Sequence, residues 1–450
     1  MAETTHGTRP TGMTAFIVVL VGQIFSLLGT TMTHFGLTLW VYEQTNLATP
    51  LAIQGALFTI PMMALGPFVG TLVDRSNRKL MMMLSDLANA AITVFLIIMY
   101  TTGGLQIWHL YITAAVAGIF QSFQWPAYSS VIALMLRKED YARANAMLDT
   151  AGMASGVFGP LLAGALIGPI GLLGLFIIDI VSVSFAVGTL LFVRIPQPPQ
   201  TEAGKAAAGS FFKEALYGFS YIFQRPSLLG LQFVFLFGNL FVNFGYAVTP
   251  AMVLARSGND ELVFGTVQSA GAIGGVIGGL VMSAWGGTKR RVHGVFLGWA
   301  LSGLLGMVLF SVGRALPVWA VASFAGAFII PFLNGSNQAI WQAKVPPDIQ
   351  GRVFGTRRLI AWLVSPLAQF AAGPLADRVL EPAMAEGGSL TGIFGPIVGT
   401  GPGTGMALMF LFGGLLAAVV GFSGYLFPAT RNAESLLPDH AAVMTKETSS

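Results

Sequence analysis

Four ionisable side chains interrupt long apolar runs in this chain: His34, Asp86, Asp149 and Asp179. Charge inside such a run is costly, so each is a functional candidate by default. An imidazole titrates near pH ~6.5, which suits proton exchange and puts His34 first for that role. The alternative for His34 is a neutral ring hydrogen-bonded between helices. In Leu175-Phe176-Ile177-Ile178-Asp179-Ile180 a carboxylate must be protonated or paired. Asp86 and Asp179 therefore fit a packing role as well as a proton-carrying one, and Asp149, about two turns into its run, reaches the interface. No nucleophile, base and orienting group occur together. With 5 scattered His and no Cys, thiolate chemistry, disulfides and Cys-based metal sites are excluded, and no enzyme activity, metal or cofactor is expected.

Neutral polar groups are sparse and sit among aromatic rings. They are Gln121, Gln124, Trp125 and Tyr128 in one apolar run, Asn239, Asn243 and Tyr246 in a second, and Asn334, Asn337, Gln338 and Trp341 in a third. Apolar walls with few hydrogen-bonding groups suit a bulky amphipathic ligand better than a sugar. An anion would want a cation inside an apolar run, and none is evident there. The competing role for these amides is to join helices.

What carries these residues is a membrane protein. Apolar residues make up 54% of the 450, charged ones only 9%, and mean hydropathy is +0.73. That leaves too little polar surface to solvate a globule. Glycine, at 56 residues, fits close backbone approach between membrane helices. Twelve apolar runs follow one another from 14–41 to 404–428, each of roughly the 20 residues that a helix needs to cross hydrocarbon. An even count puts both termini on one side. Only Arg256, Arg314 and Arg378 fall on one face, while Arg137, Lys138, Arg143, Lys289, Arg290, Arg291, Arg352, Arg357 and Arg358 join the other cations on the opposite face. That rich face is cytoplasmic by the positive-inside rule. The pI near 9.4 is then an orientation signal, with anionic lipid headgroups and not nucleic acid as partner.

The polar break 195–225 carries Pro196, Pro198 and Pro199 and then an amphipathic stretch with Phe211, Leu216 and Phe219. It reads as a cytoplasmic linker lying on headgroups. It separates a six-helix bundle at 1–194 from a second at 226–430, followed by a cytoplasmic tail at 431–450. A shift of 209 positions brings Gly70 onto Gly279, Phe123 onto Phe332, Arg143 onto Arg352 and Gly164 onto Gly373, so the second half repeats the first. Duplication of a six-helix unit places a substrate site between the halves near the midplane.

The turn Gly70-Thr71-Leu72-Val73-Asp74-Arg75-Ser76-Asn77-Arg78-Lys79 resembles the loop between helices two and three of the major facilitator superfamily, G-x-x-x-D-R-x-G-R-K. Asn77 stands in place of its inner glycine and tolerates a left-handed backbone. The resemblance covers nearly the whole chain. It implies an all-α fold of twelve transmembrane helices in two pseudo-symmetric bundles. It also implies a cytoplasmic gate in which Asp74 meets the positive end of the eleventh helix, while Arg75, Arg78 and Lys79 hold the loop on headgroups and carboxylates. Ser155 to Gly164, with Gly156, Gly159, Pro160 and Gly164, is similar to the G-x-x-x-G-P-x-x-G-G pattern of exporters in that superfamily. Gly373-Pro374-Leu375-Ala376-Asp377-Arg378 and the Gly/Pro-rich stretch after it resemble the bacterial branch of macrolide-efflux and enterobactin-exporter-like proteins. The implied protein is a monomeric drug:proton antiporter of the bacterial cytoplasmic membrane, exporting amphipathic compounds by alternating access. Superfamily helices one, four, seven and ten line the cavity, which favours His34. The arginine that proton-coupled members carry in the fourth span is missing. A lipid or metabolite permease is the alternative within the fold, and a non-transporting membrane sensor the alternative outside it.

Overall fold

The computed structural model describes residues 12–75, 77–136, 141–193, 218–345 and 350–436, apart from the side chains at 66–75, 78, 125–134, 141–143, 145–146, 149 and 350–352. Among the described residues all regular structure is helical. In hydrocarbon this is forced, because a helix satisfies every backbone polar group within its own segment. The first half holds α1 (Gly12–Thr45), α2 (Thr49–Arg75), α3 (Arg78–Thr101), α4 (Ile107–Met135) and α5 (Tyr141–Phe192). Gly171 (φ 65°, ψ 179°) breaks α5 into 141–170 and 172–192, a backbone state that suits glycine alone. The second half holds α6 (Pro226–Tyr246), α7 (Thr249–Ser257), α8 (Glu261–Trp285), α9 (Arg291–Val312, with a π segment at Ser302–Val308), α10 (Leu316–Lys344), α11 (Gln350–Trp362), α12 (Val364–Leu375), α13 (Thr391–Val398) and α14 (Thr404–Leu426). Nine helical stretches among the described residues are long and apolar enough to cross a membrane, and the one at Thr150–Phe192 contains the Gly171 break. The linker at 195–217 and the chain from 437 lie outside the described residues.

Two compact units emerge, and their boundary differs from the division at the linker. One comprises Met1–Trp40 and Leu57–Thr201; the other comprises Val41–Ala56 and Glu202–Ser450. The tip joining α1 to α2 therefore packs with the second half of the sequence.

Glycine sets the packing within each unit. In the first, Gly22, Gly29 and Gly36 recur every seven residues on α1 and face Thr189, Ser182 and Leu175, which recur at the same spacing on 172–192. A seven-residue period keeps one face of a helix toward a single neighbour, so these two helices run antiparallel in register. Gly118 of α4 packs on the backbone of Phe58 in α2. In the second unit, Gly274 and Gly278 of α8 pack on the backbones of Phe324 and Phe328 in α10, and Gly413 of α14 on that of Phe241 in α6. Spans two and four, and spans one and six, thus pair as spans eight and ten, and seven and twelve, do. The duplication seen in sequence is expressed as equivalent helix pairs built on small residues. The segment 431–436, placed in the tail by sequence, folds onto the second unit: Val292 N donates to Glu434 Oε2 (3.1 Å), and Lys344 Nζ donates to the Glu434 carbonyl.

Candidate functional site

The first unit holds all four of the ionisable candidates. His34 is exposed on α1, its ring edge-on to Phe58 at 6.2 Å between centroids. Asp86 of α3 is buried and accepts from Gln23 Nε2 at 2.7 Å, which ties α3 to α1. Asp179 is buried and accepts from Thr30 Oγ1 at 3.0 Å and Thr93 Oγ1 at 2.6 Å. One carboxyl group thus joins α1, α3 and 172–192 with neutral donors only. The side chain of Asp149 lies outside the described residues.

At the gate turn, the side chains of Asp74, Arg75 and Arg78, and the site of Gly70, lie outside the described side chains. Two neighbours are placed, and both differ from the sequence reading. Asn77 is not left-handed: at φ −69° and ψ 110° it is the N-cap of α3, its Oδ1 accepting from Leu80 N at 3.2 Å. Asn is among the best residues for that cap, which explains it in place of glycine. Lys79 donates to the carbonyls of Val193 (2.8 Å) and Leu191 (3.4 Å) instead of reaching for headgroups. It neutralises the negative end of 172–192.

In the exporter-like stretch, Gly159 and Pro160 are buried and Gly156 and Gly164 half-buried. A Cβ on Gly159 would stand 2.6 Å from Thr31 Cγ2, so this glycine sets how closely α5 approaches α1.

The amides divide into two groups. Asn239 Nδ2 donates to Ala361 O at 3.1 Å, and Asn243 accepts from Ser365 Oγ at 3.0 Å. With Gln232, whose Nε2 donates to Arg357 O at 2.9 Å, they fasten α6 to α11 and α12 on either side of Leu363. Asn337 accepts from Trp341 Nε1 at 3.0 Å, and Gln338 from Arg357 Nη2 at 2.6 Å. Trp341, read from sequence as lining a cavity, is instead fully enclosed at 0% exposure, with Tyr221, Leu228 and Val353 around it. Asn334 and Tyr246 are exposed, and Gln121 and Gln124 half-buried. Trp125 and Tyr128 lie outside the described side chains.

Arg357 also departs from the sequence reading, which counted it with the interfacial cations. Its guanidinium lies 5.3 Å from the Trp341 ring and 5.2 Å from that of Phe354, and its Nη1 is buried without a hydrogen-bond partner among the described residues. A cation does sit within a membrane-length segment, Val353–Met384. Its place one turn after Arg352, at the start of an apolar run, disguised it as a flank.

The sequence pattern of the Major Facilitator Superfamily matches residues 19–368 of this chain. The chain belongs to that superfamily. This major facilitator is 25% identical over 378 residues to macrolide efflux protein A of Streptococcus pyogenes, covering 81% of its own length and 90% of the relative. It is 24% identical over 377 residues to the multidrug efflux pump Tap of Mycolicibacterium fortuitum, covering 80% and 89%. Among solved structures, a bacterial homologue of the human lysosomal transporter spinster shares the fold with TM-score 0.66 at 17% identity, over 94% of this chain and 98% of that one. The nucleoside transporter NupG does so with TM-score 0.63 at 12% identity. As a major facilitator, the chain is a multi-pass membrane transporter for small molecules and not an enzyme.

Proposed function

We propose that this major facilitator exports bulky amphipathic compounds across a bacterial cytoplasmic membrane by alternating access, in exchange for protons, with both termini cytoplasmic. The observation that carries the reading is the match to two efflux pumps over four-fifths of the chain. The chemistry of the candidate residues supports it: Gln121, Gln124, Asn334 and Tyr246 remain open or half-open with no charged partner among the described residues, as an apolar ligand with few polar groups requires. A drug-accumulation assay in cells stripped of their own pumps, with and without an uncoupler, tests direction, substrate class and energy source together. Lower accumulation that the uncoupler restores is the expected result.

Within this reading Asp74 holds the cytoplasmic gate, and Asp74→Asn lowers transport by up to about thirty-fold while insertion is intact, since a charge at a helix terminus contributes up to ~2 kcal/mol. Flux assays normalised to membrane content check this. His34 is the proton-exchange candidate because its ring is exposed and meets Phe58 edge-on. His34→Gln alters the pH dependence of counterflow. An unchanged profile returns the ring to a packing role.

A further inference from the structure

Asp377 follows α12 in a π-helical segment, Ala376–Leu380. Such bulges re-aim side chains and recur at functional sites. Here the carboxylate points at the start of α2: Ala48 N donates to Oδ1 at 2.9 Å and Thr49 N to Oδ2 at 2.7 Å. Both oxygens are used, on two of the orphan amides of a helix 27 residues long. The helices beneath meet through small residues. A Cβ on Gly373 would lie 2.5 Å from Thr49 Cα and 3.2 Å from Ala52 Cβ, and one on Gly55 would lie 3.2 Å from Gln369 Oε1. Ala52 is buried at 2% exposure.

By sequence α2 belongs to the first six-span repeat and α12 to the second, so this cap ties one repeat to the other. It also accounts for the clustering of Val41–Ala56 with the second unit. Asp74 stands at the opposite end of α2, roughly 37 Å away at 1.5 Å per residue, hence at the other membrane face.

We propose that Asp377 is the lock of the outer gate. It holds the outer end of α2 shut against α12, and the cap must break each time the transporter opens outward. The proposal rests on the alternating-access reading above. Glu381 supplies an internal control. It makes the same kind of contact, accepting from Gly403 N at 3.0 Å and Met406 N at 2.8 Å, but caps α14 inside the second repeat and so does not cross between repeats.

The absence of cysteine makes the chain a ready background for labelling. Ala52→Cys is probed with a membrane-impermeant maleimide on intact cells and on inside-out vesicles, alone and combined with Asp377→Ala, Asp377→Asn or Glu381→Gln, all normalised to inserted protein. The lock predicts labelling from outside, about ten-fold faster with Asp377→Ala, intermediate with Asp377→Asn and unchanged with Glu381→Gln. Rates equal to the parent in both Asp377 variants, or an equal rise with Glu381→Gln, overturn the lock. Labelling from the inner side alone overturns the assignment of this contact to the outer face. Neither readout depends on substrate or direction of transport, so failure here is separable from failure of the export reading.

Discussion

Gly278→Leu should leave little folded protein. A Cβ at that position would stand 2.9 Å from both the carbonyl carbon and the Cα of Phe328, so even the first added atom meets backbone. Backbone cannot change rotamer to make room, and α8 must move away from α10. Extra core volume ordinarily costs ~1–3 kcal/mol, and the loss here exceeds that range because contacts along the whole helix pair open with it. Gly274 meets Phe324 in the same way four residues earlier, so the seam has no second register to slip into. The built-in controls are Gly275 and Gly279, where a Cβ meets nothing within 4 Å. Gly279→Leu should extract as a monodisperse species in fluorescence-detected size exclusion while Gly278→Leu does not. Equal profiles would refute this view of the seam.

Asp179→Ala is expected to cost about 2–3 kcal/mol, the sum of two hydrogen bonds to a group that three helical segments share. Two threonine donors lose their acceptor, yet each can turn to a carbonyl four residues back, as Thr31 does to Leu27 and Thr38 to His34. That retreat limits the loss but unties α1 and α3 from 172–192. Asp179→Asn keeps one acceptor oxygen and should cost about 1 kcal/mol. Thermal stability in detergent ranks the three proteins. Transport by Asp179→Asn separates the two roles that the sequence left open. A packing carboxyl keeps most of its flux when the amide replaces it, whereas a proton carrier loses coupled transport with its fold intact.

Much of the architecture was legible because the bilayer leaves few choices. Long apolar runs must be helices, and the repeat of Gly70, Phe123, Arg143 and Gly164 209 positions later announced two equivalent halves. The break at Gly171 falls at the start of the sixth apolar run, next to where sequence separates spans five and six. Harder to read was which face each polar residue takes. Asn239 and Trp341 have the types and spacing of cavity residues, but the Ala361 carbonyl of α11 takes the first, and the core around Tyr221 encloses the second. Nothing in one helix's sequence reports which neighbour will meet its polar side chains. Arg357 was missed because a cation at the head of an apolar run looks interfacial until the rings that cover it are placed. The seven-residue match of Gly22, Gly29 and Gly36 to Leu175, Ser182 and Thr189 was present in the sequence as a spacing and identifies the partner of α1.

The central claim, proton-driven export by alternating access, is tested most directly in inside-out membrane vesicles loaded with this transporter. An amphipathic fluorescent dye is supplied outside and the lumen is made acidic. Dye should accumulate inside only while the pH gradient lasts, and nigericin should release it. Accumulation that ignores the gradient would remove proton exchange, and uptake confined to right-side-out vesicles would contradict export.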